Sequence, residues 1–206
     1  MPEKIPSAQP EQIESKKELN KNFFKTELSP NDKESLKKLA EQLENFMDKE
    51  AAEQLIFILK MMATEDYVNQ CRLATKALAE KMNERFGGEE SFFDLMPPKT
   101  RLFDLRSNEG LSKINYQSPS GHSVAGLDFF DNRSASKNKK RFIIIDPVYG
   151  VVNRKVDRDN ILLLAGFGNI EEAKKALSEV YGGRWQEAYF FDRKNNKFIF
   201  IDKDKK

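Results

Sequence analysis

Gly121-His122-Ser123-Val124-Ala125-Gly126-Leu127 and Phe142-Ile143-Ile144-Ile145-Asp146-Pro147 are the two stretches on which the reading of this chain turns. Each is a short apolar run bounded by turn-forming residues, the signature of a strand. The first extends to Phe130, and the second starts near Arg141. The polar, basic segment Asn132 to Lys140 between them reads as the loop of an extended antiparallel hairpin. One strand opens on a histidine. The other closes on an aspartate, and Pro147 ends its ladder. In an antiparallel pair the start of one strand lies beside the end of the next, so His122 and Asp146 are expected to meet.

Working outward, three more strands are expected: Thr100 to Leu105, Trp185 to Phe191, and Lys197 to Ile201. Asp192-Arg193-Lys194-Asn195-Asn196 makes the turn between the last two. Ser29-Pro30 reads as a helix start, a hydroxyl cap followed by proline, and Leu36, Leu39, Leu43 and Phe46 share one helical face. A second helix, from about Glu50 to Met62, is apolar around much of its circumference and is expected to be buried. A third carries Cys71 and runs to about Phe86, where Gly87-Gly88 stops it. A fourth is capped by Asn169 and closed by Gly182-Gly183. Ala165-Gly166-Phe167-Gly168 lacks the third glycine of a nucleotide loop and reads as a turn into that helix. Residues 1–28 read as a flexible polar arm, with a short helix around Gln12 to Leu19. The expected fold is α+β: one domain over residues 29–206, its helical N-terminal half packed on an antiparallel sheet, with a C-terminal helix–hairpin unit.

The chain has 206 residues, enough for such a core, and its net charge of +2 does not point to nucleic acid. Lys137 to Lys140 and Lys203 to Lys206 read as solvated loop and tail. Trp185 and the phenylalanines read as core. No stretch reaches the roughly 18 apolar residues of a membrane span. Met1 to Pro6 has no signal-peptide core, so the expected location is the cytoplasm, or export without a cleavable signal. One cysteine excludes an internal disulfide, and one cysteine with one histidine does not make a usual zinc site. No cofactor is expected, and the oligomeric state is left open.

Cys71 supplies the chemistry. A thiolate is a strong nucleophile, and a helix N-terminus and a neighbouring imidazolium both favour it. With Asn69 as cap, Cys71 falls in the first turn; with Thr64 as cap, in the second. Cys71, His122 and Asp146 then read as nucleophile, general base and orienting carboxylate. The competing reading makes Cys71 a small core residue on the stripe Tyr67, Cys71, Ala74, Leu78, Met82 and Phe86, and Asp146 a turn cap.

A cysteine at a helix start, then Gly121-His122-Ser123-Val124, then Ile144-Ile145-Asp146-Pro147-Val148-Tyr149-Gly150, resembles the papain-like cysteine peptidase superfamily. The nearest branches are the transglutaminase-like and bacteriocin-processing peptidases. The resemblance covers roughly residues 65–150 and implies the same roles for the same three residues. It departs at Glu65, where many of these enzymes place a glutamine that donates to the oxyanion. An ionised carboxylate cannot donate, so Gln70 or Asn69, with the backbone N–H of Cys71, takes that part. The expected function is thiol-dependent hydrolysis of a peptide, isopeptide or glutamine amide bond, with a protein or peptide as substrate. The alternative is a non-catalytic interaction module.

Overall fold

Alternate residues of the central strands belong to two different cores, and this two-sidedness organises the molecule. The computed structural model describes residues 24–29, 32–63, 65, 67, 70–109, 111–114, 121–130, 140–153, 156–158 and 160–201. Their elements are β1 (Phe24–Leu28), α1 (Lys33–Leu43), α2 (Lys49–Ala63), α3 (Cys71–Asn83), α4 (Phe92–Leu95), β2 (Arg101–Ser107), β3 (His122–Phe130), β4 (Lys140–Asp146), α5 (Tyr149–Val152), β5 (Ile161–Phe167), α6 (Ile170–Tyr181), β6 (Trp185–Asp192) and β7 (Lys197–Phe200). The strands form one antiparallel sheet in the order β1-β5-β4-β3-β2-β6-β7. The helical N-terminal half lies on it, so the α+β expectation holds.

Ala125, Leu127, Ile143, Ile145 and Leu163 pack on one face with α1 to α4. Val124, Ile144, Leu162 and Leu164 pack on the other with α5 and α6. A strand covered on both faces reads as a continuous apolar run instead of an alternation. That is why β5, Ile161-Leu162-Leu163-Leu164-Ala165-Gly166-Phe167, was not among the expected strands; it takes in Ala165, Gly166 and Phe167 of the Ala165 to Gly168 segment expected to be a turn. Gly166 is the extra residue of a bulge: Phe142 faces Phe167 and Ile143 faces Ala165. Its φ of 98° suits glycine.

β1 corrects the other boundary. Phe24–Leu28, assigned to the flexible arm, pairs in register with β5. Its Lys25 and Glu27 put charge on an edge strand, which limits pairing with other chains. Helix α1 is capped by Asp32 and not by Ser29: the Asp32 carboxylate accepts the Glu34 N–H at 3.1 Å. Its negative charge also meets the positive end of the helix dipole. Helix α3 ends at Asn83, before Phe86. The C-terminal helix–hairpin unit joins the same sheet, because β6 pairs with β2. Among the described residues no helix is long and apolar enough to cross a membrane. The Gln12 to Leu19 segment, Pro30, Thr64, Asn69, the loop from Asn132 to Lys139 and the tail from Lys203 lie outside the described residues.

Candidate active site

One end of the sheet collects residues from both helical layers. Helix α3 starts at Cys71, with Gln70 as its cap residue. Cys71 therefore occupies the first turn, where backbone N–H groups have no partner within the helix. Strand β3 starts at His122, and β4 ends at Asp146. Gly121 fixes where β3 begins. Its φ is 70°, and a Cβ there would collide with the Ser107 carbonyl oxygen. Only glycine allows the chain to pass so close to β2. A second tie aligns α3 with β3: the Thr75 hydroxyl, one turn beyond Cys71, donates to the Ser123 carbonyl at 3.4 Å.

His122 Nε2 lies 2.8 Å from Asp146 Oδ2, and both side chains are fully buried. The Cys71 side chain is near enough to act on the His122 imidazole. The three residues singled out from sequence thus stand in one chain of contacts. Cys71 is the least enclosed of the three, at 8% exposure. Burial alone would push the imidazole pKa down. The Asp146 carboxylate and the Cys71 side chain overcome it and raise it to about 9. At neutral pH the ring is accordingly an imidazolium bound to the Asp146 carboxylate.

Asp146 is also a turn cap. Its Oδ1 accepts the Val148 N–H at 3.0 Å. Oδ2 accepts, besides His122, the hydroxyl of Tyr181 from the end of α6. Burial, then the Asp146 charge, drives the Tyr181 phenol well above its ordinary pKa, so it remains a donor. The Tyr181 ring lies 5.4 Å from the imidazole, and Trp185 meets the imidazole edge-on at 6.0 Å. Tyr181 and Trp185 were not foreseen at the site. Trp185 is buried, as expected of core, but its core neighbour is His122. The signal for Tyr181 was an aromatic residue just before Gly182-Gly183, with nothing local to indicate a partner 35 positions away.

No family model, curated protein or solved structure matches this chain, so the site is read from its own residues.

A second polar cluster lies beside β3. Ser123 donates to the buried Asp104, which also holds Arg106 Nε at 2.8 Å and Nη2 at 2.5 Å. The Arg106 guanidinium lies 4.3 Å over the Tyr189 ring. This cluster anchors β2, β3 and β6 next to the Thr75 contact. Of the oxyanion candidates, Asn69 lies outside the described residues. Gln70 is exposed and makes no side-chain bond to cap the helix. Glu65 accepts from the Tyr67 hydroxyl and pairs with Lys81 Nζ at 2.9 Å. Those two contacts hold its carboxyl below the ordinary range, so it is an anion and not a donor.

Proposed function

We propose that this chain is a cysteine-dependent acyl-transfer enzyme with a papain-like arrangement, acting on peptide, isopeptide or glutamine amide bonds. One observation carries the reading: the sole cysteine, at the first residue of a helix, adjoins the sole histidine, whose Nε2 rests 2.8 Å from a buried carboxylate. With Nε2 committed to Asp146, Nδ1 is the nitrogen that exchanges a proton with the thiol. The thiolate attacks the carbonyl carbon, and the carbonyl π electrons move to oxygen. The Cys71 backbone N–H and the Gln70 carboxamide are the donors assigned to that oxyanion. Collapse of the tetrahedral species expels the amine, which takes its proton from His122, and leaves a thioester on Cys71. Water, activated by His122, then releases the acid; an amine in its place gives transamidation.

Glu65 supports the alternative of a binding module, because an anion stands where a carboxamide donor is common in similar enzymes. One experiment separates the two. The native protein is treated at about pH 6 with iodoacetamide and with a peptide-based electrophilic acyl probe, and adducts are mapped by mass spectrometry. An activated thiolate labels at Cys71 under these conditions, and a core thiol does not. Absence of any Cys71 adduct in the folded protein rejects the enzyme reading.

A further inference from the structure

We infer that Tyr181 is a positioning residue of this site: by donating to the same Asp146 oxygen that holds His122, its hydroxyl sets how strongly the carboxylate grips the imidazole. The inference rests on the triad reading for its catalytic meaning, but the grip itself is measurable without any substrate. Two donors share Oδ2, His122 Nε2 at 2.8 Å and the Tyr181 hydroxyl, while Val148 occupies Oδ1. A carboxylate oxygen with two donors spreads its charge between them. The phenol thus competes with the imidazolium for the same negative charge.

The tyrosine is held in place to do this. It ends α6, on the opposite side of the sheet from the helix that carries Cys71. Its carbonyl accepts the Lys113 N–H at 3.1 Å, and Lys113 Nζ donates to the Glu179 carbonyl at 2.9 Å. Gly182 follows at φ 80°, where a Cβ would collide with Ser112 Oγ. Its carbonyl accepts the Trp185 indole N–H at 3.1 Å. The main chain on either side of the ring is therefore held, and the ring itself is fully buried. Tyr149, whose ring centre is 6.0 Å from that of Tyr181, sends its own hydroxyl to Glu27, so it does not substitute for Tyr181 at Asp146.

The chain has one histidine, so an imidazole spectrum of protein labelled with ¹⁵N-histidine reports His122 alone. Tyr181→Phe keeps the ring and removes the donor. Asp146 then acts on His122 undivided, and the imidazole titration moves up by about half a unit or more. Site-specific 3-fluorotyrosine at position 181 keeps fold and volume and makes a stronger donor, so the titration moves down. Opposite shifts in the two proteins, with the Cys71 labelling profile following the imidazole in pH, support the inference. An unmoved His122 titration in the fluorotyrosine protein overturns it, even where Tyr181→Phe fails to fold. If the titrations move but Cys71 never labels, the coupling stands and the triad reading falls.

Discussion

At Asp146 one carboxylate oxygen accepts a backbone amide while the other accepts an imidazole and a phenol, so turn cap and orienting group are the same residue. A carboxamide cannot imitate this. With its oxygen on the Val148 N–H, the NH₂ of an Asp146→Asn variant faces Nε2 and the Tyr181 hydroxyl, so the imidazole is forced to give up its Nε2 proton. We expect that variant to lose about 1–3 kcal/mol in urea unfolding and to label far more slowly at Cys71. Retention of wild-type stability and labelling would leave Asp146 without either role. Cys71→Ser tests the neighbouring group. On the catalytic reading it abolishes labelling with little change in melting temperature, because the hydroxyl still meets the imidazole. A core cysteine would instead cost about 1–3 kcal/mol when exchanged for an unpaired hydroxyl. Differential scanning calorimetry distinguishes these outcomes.

Among the elements, β3 carries most of the positional information, and Gly121 is its origin. Gly121→Ala forces a side chain into the Ser107 carbonyl and a left-handed φ onto alanine. We expect a loss of at least about 1–3 kcal/mol and a weakened His122–Asp146 contact, visible as a downward move of the imidazole titration. Thr75→Val keeps volume but removes the tie between α3 and β3; labelling should slow by less than about tenfold with the fold intact. The pieces legible in sequence were those with a local signal. His122 and Asp146 mark strand ends beside Gly121 and Pro147, and Asn169 caps α6 as read, its side chain accepting the Glu172 N–H at 3.0 Å. What was illegible depended on tertiary context. β5 hid in an unbroken apolar run because both its faces are covered. β1 hid because an edge strand with charged residues resembles a polar arm. Gln70, with no capping side-chain bond, left the α3 boundary to be settled by packing. Tyr181 reaches Asp146 only through space.

For the molecule as a whole, the buried ion pair makes stability depend on pH. His122 titrates near 6.5 when unfolded and at about 9 when folded. The raised value means the folded state holds the proton more tightly. Its contribution is complete below about pH 6.5 and is lost as pH rises through about 9. It is on the order of 3 kcal/mol. Urea unfolding at about pH 6 and about pH 9.5 should show the wild type weaker at the higher pH, and His122→Asn should lack this slope. A slope unchanged in the variant would assign it elsewhere. Removing residues 1–28 tests the sheet edge: β5 keeps β4 but loses β1, and its apolar run becomes the open edge of the sheet. We expect earlier melting and concentration-dependent aggregation by light scattering. The sheet order has a further consequence, for how the chain acquires its chemistry. β3, β4 and β5 are neighbours in both sequence and sheet, whereas β2 gains β6 only after some eighty intervening residues. Short-range pairing forms fast and long-range pairing late. During synthesis the thiol at position 71 emerges early, but Asp146 is not clamped by Tyr181 until α6 has docked. The His122–Asp146 contact can thus form as soon as β3 and β4 have paired, while the phenol that shares the carboxylate arrives only with α6.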